Sequence, residues 1–166
     1  TGGVVWGVQP VVSVQDAGGN TVVSSGASVT LAIGTNAGGG ALSCTTNPVV
    51  ASSGVATFAG CKITLAGNGY TLTATSAGLT TATSNTFNVS VGAASKVVFS
   101  TQPGGGTGGV VWGVQPVVSV QDAGGNPVVS SGASVTSAIG TNAGGGALSF
   151  TTNPVVASSV VATVAV

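Results

Sequence analysis

The chain has 166 residues and only four charged side chains, Asp16, Lys62, Lys96 and Asp122, so its formal net charge is zero, whereas about a quarter of the residues in an ordinary globular domain are charged. Two isolated lysines make neither a basic footprint for nucleic acid nor a cationic face for lipid headgroups, which excludes both partner classes. The chain also lacks the net charge that keeps soluble copies apart, so association with itself is the expectation.

Thr and Ser alternate with Val, Ala and Leu along the chain, the period of strands with one buried and one solvated face. In chain order, Val4–Trp6 and Pro10–Gln15 read as strands ending at the turn formers Asp16-Ala17-Gly18-Gly19-Asn20, a hairpin connection. Further runs follow at Ser28–Ile33, Ala41–Thr45, Val55–Phe58, Lys62–Leu65, Tyr70–Thr75 and Thr86–Val91. Asn68-Gly69 predicts a tight type I′ turn between the run from Lys62 and Tyr70–Thr75, with Tyr70, Leu72 and Ala74 on the core face of the latter. A boundary falls at Gly92-Ala93-Ala94, and Lys96–Thr101 opens a new unit before the glycine-rich stretch Gly104–Gly109. That glycine spacing resembles a phosphate loop, but no helical pattern follows whose N-terminus could hold an anion, so it reads as a linker. Many short strands without helical periodicity point to an all-β chain of antiparallel β-sandwiches. The apolar runs, such as Val4–Trp6 and Val160–Ala162, are far below the roughly 20 residues of a spanning helix, so no membrane insertion is expected.

The stretch 1–60 returns as 107–166, a period of 106 residues with 54 of 60 positions identical. The differences are Thr21 to Pro127, Leu31 to Ser137, Cys44 to Phe150, Gly54 to Val160, Phe58 to Val164 and Gly60 to Val166. Such copies are expected where a protein needs length rather than a unique site. The chain opens at Thr1 without a methionine, an apolar signal segment or a basic start, and reads either as a processed product or as a window of something longer.

Ser95–Pro103, Val12–Asn20 and Gly69–Ala74 resemble phrases of the bacterial immunoglobulin-like (Big/invasin-like) tandem repeats of extracellular surface fibres and adhesins. The resemblance implies tandem immunoglobulin-like antiparallel sandwiches, an extracellular or cell-surface location, and no catalytic motif. In the family's phase, 1–92 is a first repeat lacking its opening strand, and 93–166 is a second lacking its C-terminal strands. A sandwich short of a strand exposes unpaired backbone groups, so completion by a strand from a neighbouring subunit is one expectation and missing neighbouring sequence is the other. Val160–Val166, including Val160, Val161, Val164 and Val166, is the candidate donor because three of its residues replace Gly54, Phe58 and Gly60 with valine.

Cys44 and Cys61 are the only cysteines and form either a disulfide, which is favoured, or a pair of buried thiols. With no His, there is no set of metal ligands. Asp16 and Asp122 are equivalents in separate copies, read as Asx-turn residues rather than calcium ligands. Neither makes an acid–base pair with a second carboxylate, and no base exists to activate a Ser or Thr. Catalytic residues and cofactors are therefore not expected. Trp6 and Trp112 are equivalents that pack in a core or junction, or else form a platform for stacking sugars. Asn88-Val89-Ser90 matches an N-glycosylation acceptor inside a predicted strand. Ser24-Ser25, Ser52-Ser53 and Thr80-Thr81 are hydroxyl-rich loops suited to O-linked sugars. The expectation is a homopolymeric structural subunit of an extracellular fibre, with an adhesin stalk or carbohydrate-binding adhesion module as the alternative and glycans or host and biofilm surfaces as further partners.

Overall fold

In a computed structural model, which describes residues 1–158 and 161–163, the alternating pattern becomes fifteen strands and no helix. They are β1 (Val11–Ser13), β2 (Ser28–Ile33), β3 (Leu42–Ser43), β4 (Val49–Val50), β5 (Val55–Thr57), β6 (Lys62–Ile63), β7 (Gly67–Tyr70), β8 (Leu72–Thr75), β9 (Ala82–Thr83) and β10 (Phe87–Val89). Then come β11 (Lys96–Thr101), β12 (Val117–Gln121), β13 (Ser134–Val135), β14 (Val155–Val156) and β15 (Val161–Thr163). Every pairing among them is antiparallel. The chain divides into two compact units, one of 1–92 with 124–126, the other of 93–123 with the described residues from 127 onward.

The first unit is organised around a four-stranded sheet in the order β4-β2-β8-β9, with the pairs β1-β5, β3-β6 and β7-β10 beside it. In β2, Val29 and Leu31 are buried while Ser28, Thr30 and Ala32 are exposed, which is the period-2 pattern carried directly into a one-sided strand. Val29 and Leu31 pack with Phe58, Ala56 and Cys61 in one core cluster, and Ile63, Tyr70, Leu72 and Val89 form a second. Tyr70 is fully buried and its hydroxyl donates to the Leu65 carbonyl at 2.9 Å, so its polar end is satisfied inside the core.

Val4–Trp6 is not a strand: its stretch is held by single bonds, with Gly3 N–H donating to Ile63 O (2.8 Å) and Trp6 N–H to Cys61 O (3.0 Å), and no ladder forms. Asn68-Gly69 is not a hairpin turn but lies inside β7, where Asn68 pairs with Asn88 of β10. The positive φ of Gly69 (90°) is used at a register shift of the β7-β10 pair, the bulge being the other common use of a left-handed glycine. The run from Lys62 consequently pairs with β3 rather than with β8.

The second unit repeats the pairing of the first at the 106-residue offset. Val117, Val118 and Ser119 of β12 face Thr163, Ala162 and Val161 of β15, as Val11, Val12 and Ser13 face Thr57, Ala56 and Val55. The β13-β14 register matches that of β2-β4 in the same way. The Asn47 side chain, which accepts from Leu31 N–H (3.0 Å) and donates to Leu31 O (2.8 Å), has its counterpart in Asn153 on Ser137. One element is added: β11 pairs with β12 along its remaining edge, giving the order β11-β12-β15.

Candidate functional site

A disulfide joins Cys44 and Cys61. The two residues flank the β3-β6 pair, in which Leu42 faces Ile63 and Ser43 faces Lys62, so antiparallel register carries Cys44 opposite Cys61. Gln9 clamps the same region, accepting from Cys61 N–H at 2.7 Å through Oε1 and donating through Nε2 to the Trp6 carbonyl. Trp6 is half-buried, packs against both core clusters of the first unit, and meets Phe87 edge to face with ring centroids 5.5 Å apart. Trp112 keeps the Gln115 clamp on its carbonyl, and its ring lies against Gly106, where an added Cβ would come within 2.6 Å of the indole.

Asp16 sits in its turn, with Oδ1 accepting from the Gly18 and Asn20 N–H groups, each at 2.9 Å, and from the Asn20 side-chain amide. The Asn20 backbone bond, followed by the Asn20 side chain, holds the exposed carboxyl below its ordinary value of 3.8. Asp122, its equivalent, is fully buried, so one sequence takes two environments. Asn88 is exposed in β10 and its Oδ1 accepts from Gly69 N–H at 2.9 Å. Ser24, Ser52, Ser53, Thr80 and Thr81 are exposed. Val161 lies in β15 and is paired with Ser119 within the second unit, and a strand so paired is not a free donor; Val160, Val164 and Val166 lie outside the described residues. No group of three or more His, Cys, Asp or Glu stands together among the described residues, and no helix there is long and apolar enough to cross a membrane.

The unpaired edge expected where the first repeat lacks its opening strand falls on the outer side of β1. Among the described residues β1 pairs only with β5. Val14 N–H donates to Gly54 O and Phe58 N–H to Pro10 O, so alternation turns the N–H and C=O groups of Val11, Ser13 and Gln15 to the opposite, open side. A groove runs along that side in two adjoining clefts of about 520 and 410 Å³, which share Val12, Ser13, Gln15, Ala74 and Ala82. Leu31 and Leu72 line one of them and Val14, Val29 and Leu79 the other. The signal in the sequence is that Pro10–Ala17 recurs unchanged as Pro116–Ala123, preceded in the second copy by Lys96–Thr101. Comparison with protein-family models, curated proteins and solved structures gives no match.

Proposed function

We propose that the chain is a non-enzymatic structural subunit of an extracellular bacterial filament or surface fibre, built from immunoglobulin-like β-sandwich repeats that assemble head to tail. The observation that carries this reading is the β1-β5 register recurring in β12-β15 on a near-identical sequence, since a unit repeated this faithfully serves length rather than a unique site. The surface supports it as well. Equivalent valines stand out in both copies, Val23 at 72% and Val129 at 66% exposure, Val50 at 65% and Val156 at 62%, with almost no charge to guard the strand edges against pairing. The Cys44–Cys61 bond favours an oxidising, extracellular setting. The chain has no His or Glu, and its two carboxylates, Asp16 and Asp122, stand at equivalent positions of separate copies, so it offers no close acid–base pair, which argues against catalysis.

Electron microscopy of the purified chain at micromolar concentration, without detergent or denaturant, tests the proposal. Regular filaments with a repeat of one or two units are the expected result. Monodisperse two-bead particles would refute the polymer and leave an adhesin stalk.

A further inference from the structure

We infer that Asn47 and Asn153 are edge caps: each side chain takes the place of a backbone partner on a strand edge and keeps that edge closed to a strand from a second copy of this chain. They act so whether or not copies assemble head to tail. β4 pairs only with Ser28 and Val29 of β2. Gly34 N–H donates to the Thr71 carbonyl on the β8 side, so alternation turns the N–H and C=O of Leu31 to the other side, beyond the last residue that β4 pairs. At that place the Asn47 side chain accepts from Leu31 N–H at 3.0 Å through Oδ1 and donates to the Leu31 carbonyl at 2.8 Å through Nδ2. Those are the two bonds that one residue of a paired strand would make.

The cap recurs in the second copy, where Asn153 accepts from Ser137 N–H at 3.2 Å and donates to the Ser137 carbonyl at 3.0 Å. The capped residue differs between the copies, Leu31 in one and Ser137 in the other, so the amide reads backbone and not side chain. The surroundings differ as well: in the first copy β2 also pairs with β8 and β6–β10 follow, while in the second β11 precedes and β13 pairs, among the described residues, with β14 alone. A cap that forms with either set of neighbours belongs to the repeat itself. Both asparagines are exposed, so their bonds fill no core. An N–H and a C=O left open on a strand edge are a template for another chain, and the usual guard is a charged side chain; β2, β4, β13 and β14 carry none. A neutral amide, with a donor and an acceptor matched to the backbone pair, does the same without charge. What it shuts out is a strand of another copy, for which Val50 and Val156 on the adjoining strands, 65% and 62% exposed, offer apolar surface and no repulsion.

Amide hydrogen exchange of the full chain at widely separated concentrations tests the caps. At low concentration Asn47→Ala should lower protection at Leu31 about tenfold or more and leave Thr30 and Ala32, which bond on the β8 side, unchanged. As concentration rises, protection at Leu31 should return, with a matching growth of particle mass by light scattering. Ala32→Lys added to Asn47→Ala sets a charge beside the opened edge and should abolish that concentration dependence. Asn153→Ala, read at Ser137, carries the same expectation and serves if Asn47→Ala does not fold. Protection at Leu31 lost at every concentration without growth in mass would make Asn47 a stabilising bond and nothing more, which overturns the inference. So would protection that Asn47→Ala leaves unchanged, or a concentration dependence indifferent to Ala32→Lys. Filament formation by the unaltered chain bears on the fibre reading alone.

Discussion

Gly54 has φ of +78°, and a Cβ added there would lie 2.5 Å from the Val22 carbonyl oxygen. It shares a two-residue loop with Ser53, itself at φ +50°, closed by the Ser52–Val55 pair of bonds at 2.9 and 3.0 Å. Both central residues are left-handed, as a type I′ turn requires. Gly54→Val, the residue that stands at position 160 of the second copy, is expected to cost about 1–3 kcal/mol through backbone strain and the clash, read as a lower urea midpoint. An unchanged midpoint would show that the turn rebuilds freely. The Asp16 turn has a pH signature of known sign. Its folded-state pKa is lowered by bonds from Asn20, so the turn's contribution is present above the unfolded value of 3.8 and is lost as pH falls through the lower folded value. Amide protection at Gly18 and Asn20, taken against the intrinsic exchange rate at each pH, should fall over that acid range in the native chain and stay level in Asp16→Asn.

Among the elements, the β3-β6 pair is only two residues long on each side, too short to hold by its own ladder. The Cys44–Cys61 bond closes a sequence separation of 17 across that pair, and Cys61 is fully buried beside Phe58. Reduction, or Cys44→Ser with Cys61→Ser, is expected to remove about 3 kcal/mol of stability on the chain-entropy estimate. Denaturant unfolding with and without reductant measures it, and coincident curves would show that packing alone holds β3 on β6. β2 shows the alternate route by which an element is held: β4 and β8 pair along its two edges while its alternation buries Val29 and Leu31 in the core cluster with Ala56 and Phe58, and no cross-link is needed.

Across the whole molecule the two units are unequally supported. The first has two core clusters, the disulfide and a four-stranded sheet; the described residues of the second hold one cluster of five buried side chains under strands of two to six residues. Local stability follows buried apolar contact, so amides of β12 and β13 should exchange before those of β2 and β8. Reductant should hasten exchange in the first unit alone. Exchange proceeding at one rate throughout would mean that the two units open as one.

The all-β character of the chain, the alternation that buries Val29, Leu31, Tyr70 and Leu72, and the Asp16–Asn20 connection were legible in the sequence, because each depends on side-chain period or on a turn former acting on its own neighbours. The two cysteines left a bond and a pair of thiols open, and register at β3-β6 decided it. Asn68-Gly69 misled because a left-handed glycine serves a bulge as well as a turn, and only the position of β10 selects between them. The environment of one repeated sequence was likewise beyond local reading: Ser13 and Ser119, or Asp16 and Asp122, have identical neighbours along the chain and differ only in what packs beside them. The sequence by itself determined period, turn chemistry and the identity of the two copies; tertiary structure alone decided which strand pairs with which, since pairing depends on contacts between residues far apart in the chain.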